Sequence, residues 1–498
     1  MSSQVAEYQF RTKPFRHQLE EFLAHRDDES RAIFWEQGTG KTKLIIDTAA
    51  WLLQTGKIDG MLVIAPNGVH QNWVLRELVQ HMPEGVLERT YTFVFSSQRR
   101  NAKYLEQMEK VHARPEFVVV AMGYDGFMTK RGRLLARKFL QSRRVLFVLD
   151  ESRRIKSPAA KRTRAIVAEG CHASYRRILT GTPVANGPFD VYAPIKFLDE
   201  TFWSRHGLGS YLAFKTTFGV WEQLRLGHRQ FQKLLAFRSL ESLNKLLSTI
   251  SNRVVKSEVL DLPPKLYSTR TFEMSPEQAR HYREIRDDFV TFLATGEPLT
   301  APLAITRELR LRQILSGYLP SDLNSACLDF PELNARLYAL EDLLDEVPHQ
   351  AIIWANFTRD IDLICGLLGD QVVRYDGKVG EDDRTAAINR FQAGEVKYFV
   401  GNPAAGGTGL TLHAARTVIY YNNDFDLEKR LQSEDRAHRI GQAHPVNYID
   451  LVCEGTVDER IADALQRKEL ISARILHDHL RQETLIRPLA LPSNLGND

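Results

Sequence analysis

The sequence predicts an α/β protein made of two doubly wound parallel-sheet lobes with a helical insert between them. Three observations carry this. Two separate series of short β-type runs are each interleaved with helix-like stretches. The runs are nearly continuous Val, Ile, Leu and Phe, as in strands covered on both faces by helices. Several end in Gly, Asp or Pro, at the carboxyl ends where such sheets carry functional residues.

The first series contains Ala32 to Trp35, Met61 to Ala65, Thr92 to Phe95, Phe117 to Ala121, Val145 to Leu149 and Arg177 to Leu179, with an apolar helix over Leu44 to Leu53. The second contains Ala351 to Trp354, Val372 to Tyr375, Lys397 to Gly401, Thr417 to Tyr420 and Val446 to Leu451, closed by a helix over Ile461 to Ile475. Between them the period changes. Leu234, Leu235, Phe237, Leu243, Leu246, Leu247 and Ile250 recur at helical spacing. Another helix opens at Ser275-Pro276-Glu277-Gln278, where a serine cap, a proline at the first helical position and a glutamine three residues after the cap form a capping box. Its apolar face is Tyr282, Ile285, Phe289 and Phe292, and it ends near Gly296. Asp261-Leu262-Pro263-Pro264 cannot continue a helix and reads as the linker. The expected domains are 1–200 for the first lobe, 201–345 for the insert and linker, 346–482 for the second lobe, and 483–498 for a tail.

Composition excludes several classes. With 498 residues, 43% hydrophobic, the chain can bury more than one core and is neither collagenous nor disordered. No apolar stretch reaches the roughly 18 residues that span a bilayer, and no apolar leader opens the chain, so no membrane partner is expected. The expected location is the cytoplasm, in a bacterial or viral setting, or the nucleus if eukaryotic. Cys171, Cys327, Cys365 and Cys453 are too scattered for a zinc site or a disulfide framework. The net charge of +4 hides an uneven distribution: between Lys130 and Arg177, fifteen basic residues stand against Asp150, Glu151 and Glu169. Such a run is either a solvated face or a contact for a polyanion.

Three groups carry chemistry. Gly38-Thr39-Gly40-Lys41-Thr42 separates a strand from an apolar helix. In a phosphate loop, glycines free backbone N–H groups to face phosphate, lysine neutralises charge and threonine holds Mg²⁺. The strict spacing would need glycine at 35, where Trp35 stands, so this segment alone leaves a plain strand-to-helix turn open. The strand Val145 to Leu149 delivers Asp150 and Glu151, one acid to fix Mg²⁺ and one to orient or deprotonate water. Arg436 and Arg439, three apart on an expected helix, are neighbours on one face and suit a transferring γ-phosphate. The alternative is a surface helix in which Glu434 and Asp435 pair with them.

Together, GTGKT (38–42), LVIAPNGVHQNW (62–73), VLDESRRIKS (148–157), LTGTPVAN (179–186), GGTGLTL (406–412) and QSEDRAHRIGQ (432–442) resemble the superfamily-two helicase motifs in their Swi/Snf-related form, in the family's order. The resemblance implies two RecA-like lobes, ATP and Mg²⁺ as cofactors, and ATP hydrolysis between the lobes. It implies a monomer moving on double-stranded DNA, forked or branched DNA included, with a protein partner for targeting. Residue by residue, it implies adenine reading by Gln18 and phosphate binding by Gly38, Thr39, Gly40, Lys41 and Thr42. Asp150 with Thr42 would organise Mg²⁺, Glu151 would activate water, Arg436 and Arg439 would be arginine fingers, and Gly407 and Gly409 would lie close to nucleotide. Pro66, Asn67, Trp73, Gly123, Tyr124, Lys156 and Thr408 match DNA-contacting positions, although Trp73 equally suits core packing. Thr180, Thr182 and Gln432 match coupling positions. Trp35, Ser152-Arg153 and Asn423-Asp424-Phe425 depart from the family pattern. No wedge-type hairpin is evident, which favours translocation over strand separation. Retention of all five catalytic candidates disfavours a non-catalytic scaffold.

Overall fold

The computed structural model describes residues 8–226, 229–294, 301–320, 327–329, 334–404, 410–476 and 478. The chain divides into two compact units, Met1–Gln223 with Gln232–Asp261 and Glu469–Asp498, and Leu224–Phe231 with Leu262–Lys468.

The first unit is built on β1 (Ser30–Trp35), β2 (Gly60–Ala65), β3 (Thr90–Val94), β4 (Phe117–Gly123), β5 (Val145–Asp150) and β6 (Tyr175–Leu179). A separate two-stranded ribbon follows, β7 (Gly219–Leu226) and β8 (Arg229–Phe237), of which Leu224–Phe231 counts with the second unit, and then β9 (Ser251–Val254). The seven-stranded sheet has the order β3-β4-β2-β5-β6-β1-β9, with parallel pairings. Side chains alternate along each strand, so one strand feeds two cores. Phe34, Leu62, Val120, Phe147 and Ile178 lie in one, and Trp35, Val63, Val119, Val148 and Leu179 in the other. That double burial is why the strands read as unbroken apolar runs.

The second unit begins with β10 (Lys265–Phe272) and a small antiparallel ribbon, β11 (Tyr318–Pro320) with β12 (Cys327–Asp329). It continues through β13 (Ala351–Trp354), β14 (Val372–Tyr375), β15 (Tyr398–Gly401), β16 (Thr417–Tyr420) and β17 (Val446–Cys453). The order β10-β17-β16-β13-β15-β14 is again parallel. Ile352, Phe399 and Val418 line one face and Ile353, Val400 and Ile419 the other.

The region 201–345 carries the expected helices, among them Leu240–Ser248, Pro276–Ala294, Ala301–Leu315 and Ala335–Asp345, but it is not helical throughout. β9 extends the first sheet beside β1, and β10 extends the second beside β17. Both are edge strands with no buried residue run: β10 is half-buried or exposed at every position, with Leu266 to Thr269 all exposed, so a search for continuous apolar stretches passes over it. Leu234, Leu235 and Phe237 lie in β8 rather than a helix, which starts only at Leu240–Ser248. The region also holds the two-stranded ribbon of β7 and β8, where the sequence predicts helix. The helix Pro276–Ala294 has its expected capping box, with Gln278 N donating to Ser275 Oγ (3.2 Å) and Ser275 N to Gln278 Oε1 (3.2 Å). The Phe289 and Phe292 side chains, Gly296 and the segment 483–498 lie outside the described structure. Among the described residues no helix is long and apolar enough to cross a membrane.

Candidate functional site

In a parallel sheet all carboxyl ends share one edge. The order β4-β2-β5-β6-β1 therefore sets Gly123, Pro66, Asp150, Thr180 and Glu36 in a row along that edge.

The phosphate loop leaves β1 at one end of this row. Gly38 and Gly40 both take φ +83°, in the left-handed region that glycine enters without strain. The helix Lys41–Gln54 starts directly after, its unpaired N–H groups and positive dipole end at the loop. Lys41 Nζ donates to the Trp35 and Glu36 carbonyls at 2.9 and 3.1 Å, and Thr39 Oγ1 donates to Glu36 O at 2.7 Å. Trp35, fully buried, donates its indole N–H to Asn252 on β9. Packing rather than a glycine therefore fixes the strand end. Gln18 is buried and braces the loop: Nε2 donates to Gly40 O (3.0 Å) and Oε1 accepts from Phe15 N (2.8 Å). Adenine reading would require the amide to exchange these bonds.

Asp150 and Glu151 stand at the centre of the row. Trp73 donates its indole N–H to Asp150 Oδ2 at 3.0 Å, Glu151 N donates to Asp150 Oδ1 at 3.0 Å, and the Tyr124 hydroxyl donates to Asp150 O at 2.8 Å. Burial, then the neighbouring Glu151 charge, push the Asp150 carboxyl up to about 6, against the Trp73 bond and the Lys41 charge. Glu151 sits at φ 50°, ψ 53°, a left-handed conformation unusual for a residue with a side chain. Such strain persists where surroundings enforce it, and here it turns the chain sharply after β5. Gln37 Nε2 donates to Glu151 Oε1 at 3.4 Å.

Two residues expected at DNA-contacting positions face inward. Trp73 and Tyr124 are each only 1% exposed, and both serve the acids from behind. Of the others, Asn67 is exposed, Lys156 half-buried and Pro66 buried. Asn67 Nδ2 donates to Asp125 Oδ2 at 3.0 Å, and Arg162 pairs with the same carboxylate at 2.6 Å. Gly123 makes room for Asn67, since a Cβ there would lie 2.2 Å from Asn67 Oδ1. Thr180 is buried and its Oγ1 accepts from Thr182 N at 3.2 Å.

The basic stretch is only partly a surface. Arg143 donates to the carbonyls of Asp59 and Glu116, Arg177 to Asp28 O, Arg131 to Ser97 O and Arg137 to Glu169. Lys130, Arg133, Lys138, Arg154, Lys161 and Arg164 remain exposed.

In the second unit, the helix Leu427–Ala437 ends between the two arginines. Arg436 is therefore in its last turn and Arg439 beyond it, which corrects their placement on one helical face. Arg436 is buried and Arg439 half-buried. Glu434 takes Lys265 (3.0 Å), Tyr267 (2.8 Å) and Arg430 (2.8 Å). Burial would raise its carboxyl, but the Lys265 and Arg430 charges bring it down to about 2. Gln432 Nε2 donates to Glu428 Oε1 at 2.8 Å, and Gln442 Nε2 to the His413 and Ala415 carbonyls at 3.0 and 2.9 Å. Gly407, Thr408 and Gly409 lie outside the described residues.

The SNF2-related domain matches residues 16–317, and the helicase conserved C-terminal domain matches 335–441. The chain belongs to the SNF2-related family. It is 26% identical over 456 residues to a probable chromatin-remodeling complex ATPase chain of Oryza sativa subsp. japonica, covering 89% of this chain and 38% of that one. It is 27% identical over 466 residues to the transcription regulatory protein SNF2 of Saccharomyces cerevisiae, covering 89% and 26%. The chain thus spans well under half the length of these curated relatives. A solved SWI2/SNF2 ATPase core from Sulfolobus solfataricus, in complex with double-stranded DNA, shares 22% identity over 97% of this chain and 98% of that one, with a TM-score of 0.41.

Against the SNF2-related motif set, the first unit adds residues that the motifs did not mark. Arg253 on β9 donates to Phe34 O (2.8 Å) and Gly181 O (3.1 Å), clamping the phosphate-loop strand to the Thr180–Thr182 segment. The buried Lys256 approaches Gly38, its Cε 3.7 Å from where a Cβ would stand. The signal available was the short run before Lys256, hidden by assigning 201–345 to helices.

Proposed function

We propose that this SNF2-related chain hydrolyses ATP with Mg²⁺ and uses the turnover to move along double-stranded DNA. The observation that supports this most is the grip of Trp73 on Asp150. The segment Asn67–Trp73 begins at an exposed residue, at a position the resemblance assigns to DNA, and ends on the carboxylate it assigns to Mg²⁺. A shift of that segment on DNA would be felt at the acid through one short stretch of chain.

The residues fit a magnesium ion. Asp150 is a buried carboxylate near the Lys41 charge, Thr42 stands at the helix start, and Glu151 Oε2 is buried with no hydrogen-bond donor among the described residues, Arg153 lying 3.5 Å away. Mg²⁺ characteristically uses one or two carboxylates and completes its shell with phosphate and water. When bound it would neutralise charge on the phosphates. Lys41 would exchange its two carbonyls for phosphate oxygens. Glu151 would hold and deprotonate the attacking water, and Arg436 and Arg439 carry the guanidinium role that the resemblance assigns. Exposed basic residues and backbone amides bind phosphates without reading bases, so movement would be independent of sequence.

Triplex displacement on an unbranched duplex tests translocation. The parent protein is expected to release the third strand only with ATP and Mg²⁺, and Glu151→Gln to bind ATP without releasing it. A third strand that stays bound under the parent protein counts against movement.

A further inference from the structure

The hairpin of β7 and β8 belongs to neither parallel sheet, and its strand faces are largely open to solvent. An isolated two-stranded ribbon is marginal by itself, so a rigid mount is needed. That mount is aromatic. Trp221 stacks on Phe189 (centroids 5.9 Å, planes 12° apart) and Phe237 meets the same ring edge-on at 5.5 Å. Gly187 (φ +137°) admits Phe237, since a Cβ there would lie 2.5 Å from its ring. Phe189 follows shortly after the Thr180–Asn186 segment, and Asp190 Oδ2 accepts from Asn186 N at 2.8 Å, locking the turn between them. The hairpin base is thus fixed to the segment that Arg253 ties to the phosphate-loop strand.

Along β8 the period of two places Phe237, Leu235, Lys233 and Phe231 on one face. The stripe starts against Phe189 and runs about 20 Å along the strand to Phe231; Leu235 is 54% and Phe231 48% exposed. It is an apolar row interrupted by a lysine. From Gly219 to Arg238 the sequence is basic: Arg225, Arg229, Lys233 and Arg238 against Glu222 alone. Basic and aromatic side chains interleaved on an open ribbon suit nucleic acid, the first for phosphate and the second for the face of a base. An intact duplex offers phosphates and groove edges but keeps its base faces stacked inside. A base face becomes available where the duplex opens.

We infer that the β7–β8 hairpin is a contact for the junction between duplex and single-stranded DNA, with Phe231 and Leu235 against the terminal base pair and Lys233 on the adjoining phosphates. This rests on the DNA-translocase reading and adds a preferred DNA structure to it.

The test compares binding by fluorescence anisotropy and ATP turnover, with the full chain, on a fork with two non-complementary arms and on an unbranched duplex of the same length. The parent is expected to bind the fork more tightly. The pair Phe231→Ala and Leu235→Ala is expected to weaken fork binding about tenfold, the scale of one lost base stack. Duplex binding and duplex-stimulated turnover should stay within about twofold, which also shows that the variant folds. Phe231→Tyr should keep the fork preference. Equal affinity of the parent for fork and duplex, or an equal loss on both DNAs in the variant, overturns the hairpin inference and leaves duplex-stimulated turnover standing. Absence of stimulation by either DNA overturns both.

Discussion

Asp150 is held by three donors and one positive charge in a buried position, and its most consequential partner is the Trp73 indole. A hydrogen bond to a charged group contributes about 1.5–3 kcal/mol. Trp73→Phe keeps a buried ring and removes only that donor, so ATP turnover at saturating nucleotide is expected to fall about tenfold or more with nucleotide affinity little changed; steady-state kinetics beside a binding titration checks this. A second buried acid concerns stability instead. Asp360 is fully buried, accepts from Asn422 Nδ2 and Ser316 Oγ, and has its carboxyl pushed up to about 7 by burial, against those bonds and the Arg336 charge. The folded protein therefore holds this proton between roughly pH 4 and 7, where the unfolded chain has lost it. Its contribution is neutral below that window, becomes a penalty that grows as pH rises through it, and levels off above about 7. Asp360→Asn should thus gain stability relative to the parent on going from pH 5 to pH 8, by on the order of 3 kcal/mol, read from denaturant unfolding at the two pH values. At this scale the motif positions were legible in the sequence, but the directions of their side chains were not. A match fixes the residue type at 73 or 124, whereas the choice between DNA and Asp150 depends on packing around each ring.

Elements differ in how openly the sequence declares them. Strands buried on both faces, such as β5 and β13, were readable because both faces demand apolar residues. The edges β9 and β10 and the hairpin were not: β9 is four residues long and mostly polar, Ser-Asn-Arg-Val, while β10 and the hairpin are largely exposed, so none of them reads as an apolar run. The phosphate loop was legible through its glycines, and the structure adds the reason for one of them. At Gly40 the φ of +83° and the 2.0 Å approach to Gln18 Nε2 both exclude a side chain. Gly40→Ala should displace Gln18, weaken binding of a fluorescent ATP analogue at least tenfold, and cost about 1–2 kcal/mol for the left-handed backbone. Unchanged affinity would show that the Gln18 brace is dispensable.

For the whole molecule, a net charge of +4, from 66 basic and 62 acidic residues, does not say which guanidinium groups are spent on backbone carbonyls and which are left in solvent. Arg143 and Arg177 hold strands and loops of the first unit together, while Arg133, Lys138 and Arg164 stay available to a polyanion. Composition cannot separate the two groups because each arginine counts the same until its partners are known. The central claim is that the carboxyl edge of the first sheet, with Lys41 at one end, Asp150 and Glu151 at its centre and Asn67 beyond, is an ATPase answering to duplex DNA. The most direct test is steady-state ATP hydrolysis titrated with unbranched duplex. The expected result is a saturable rise of tenfold or more that Lys41→Ala abolishes; a rate indifferent to duplex, or one that survives Lys41→Ala, would contradict it.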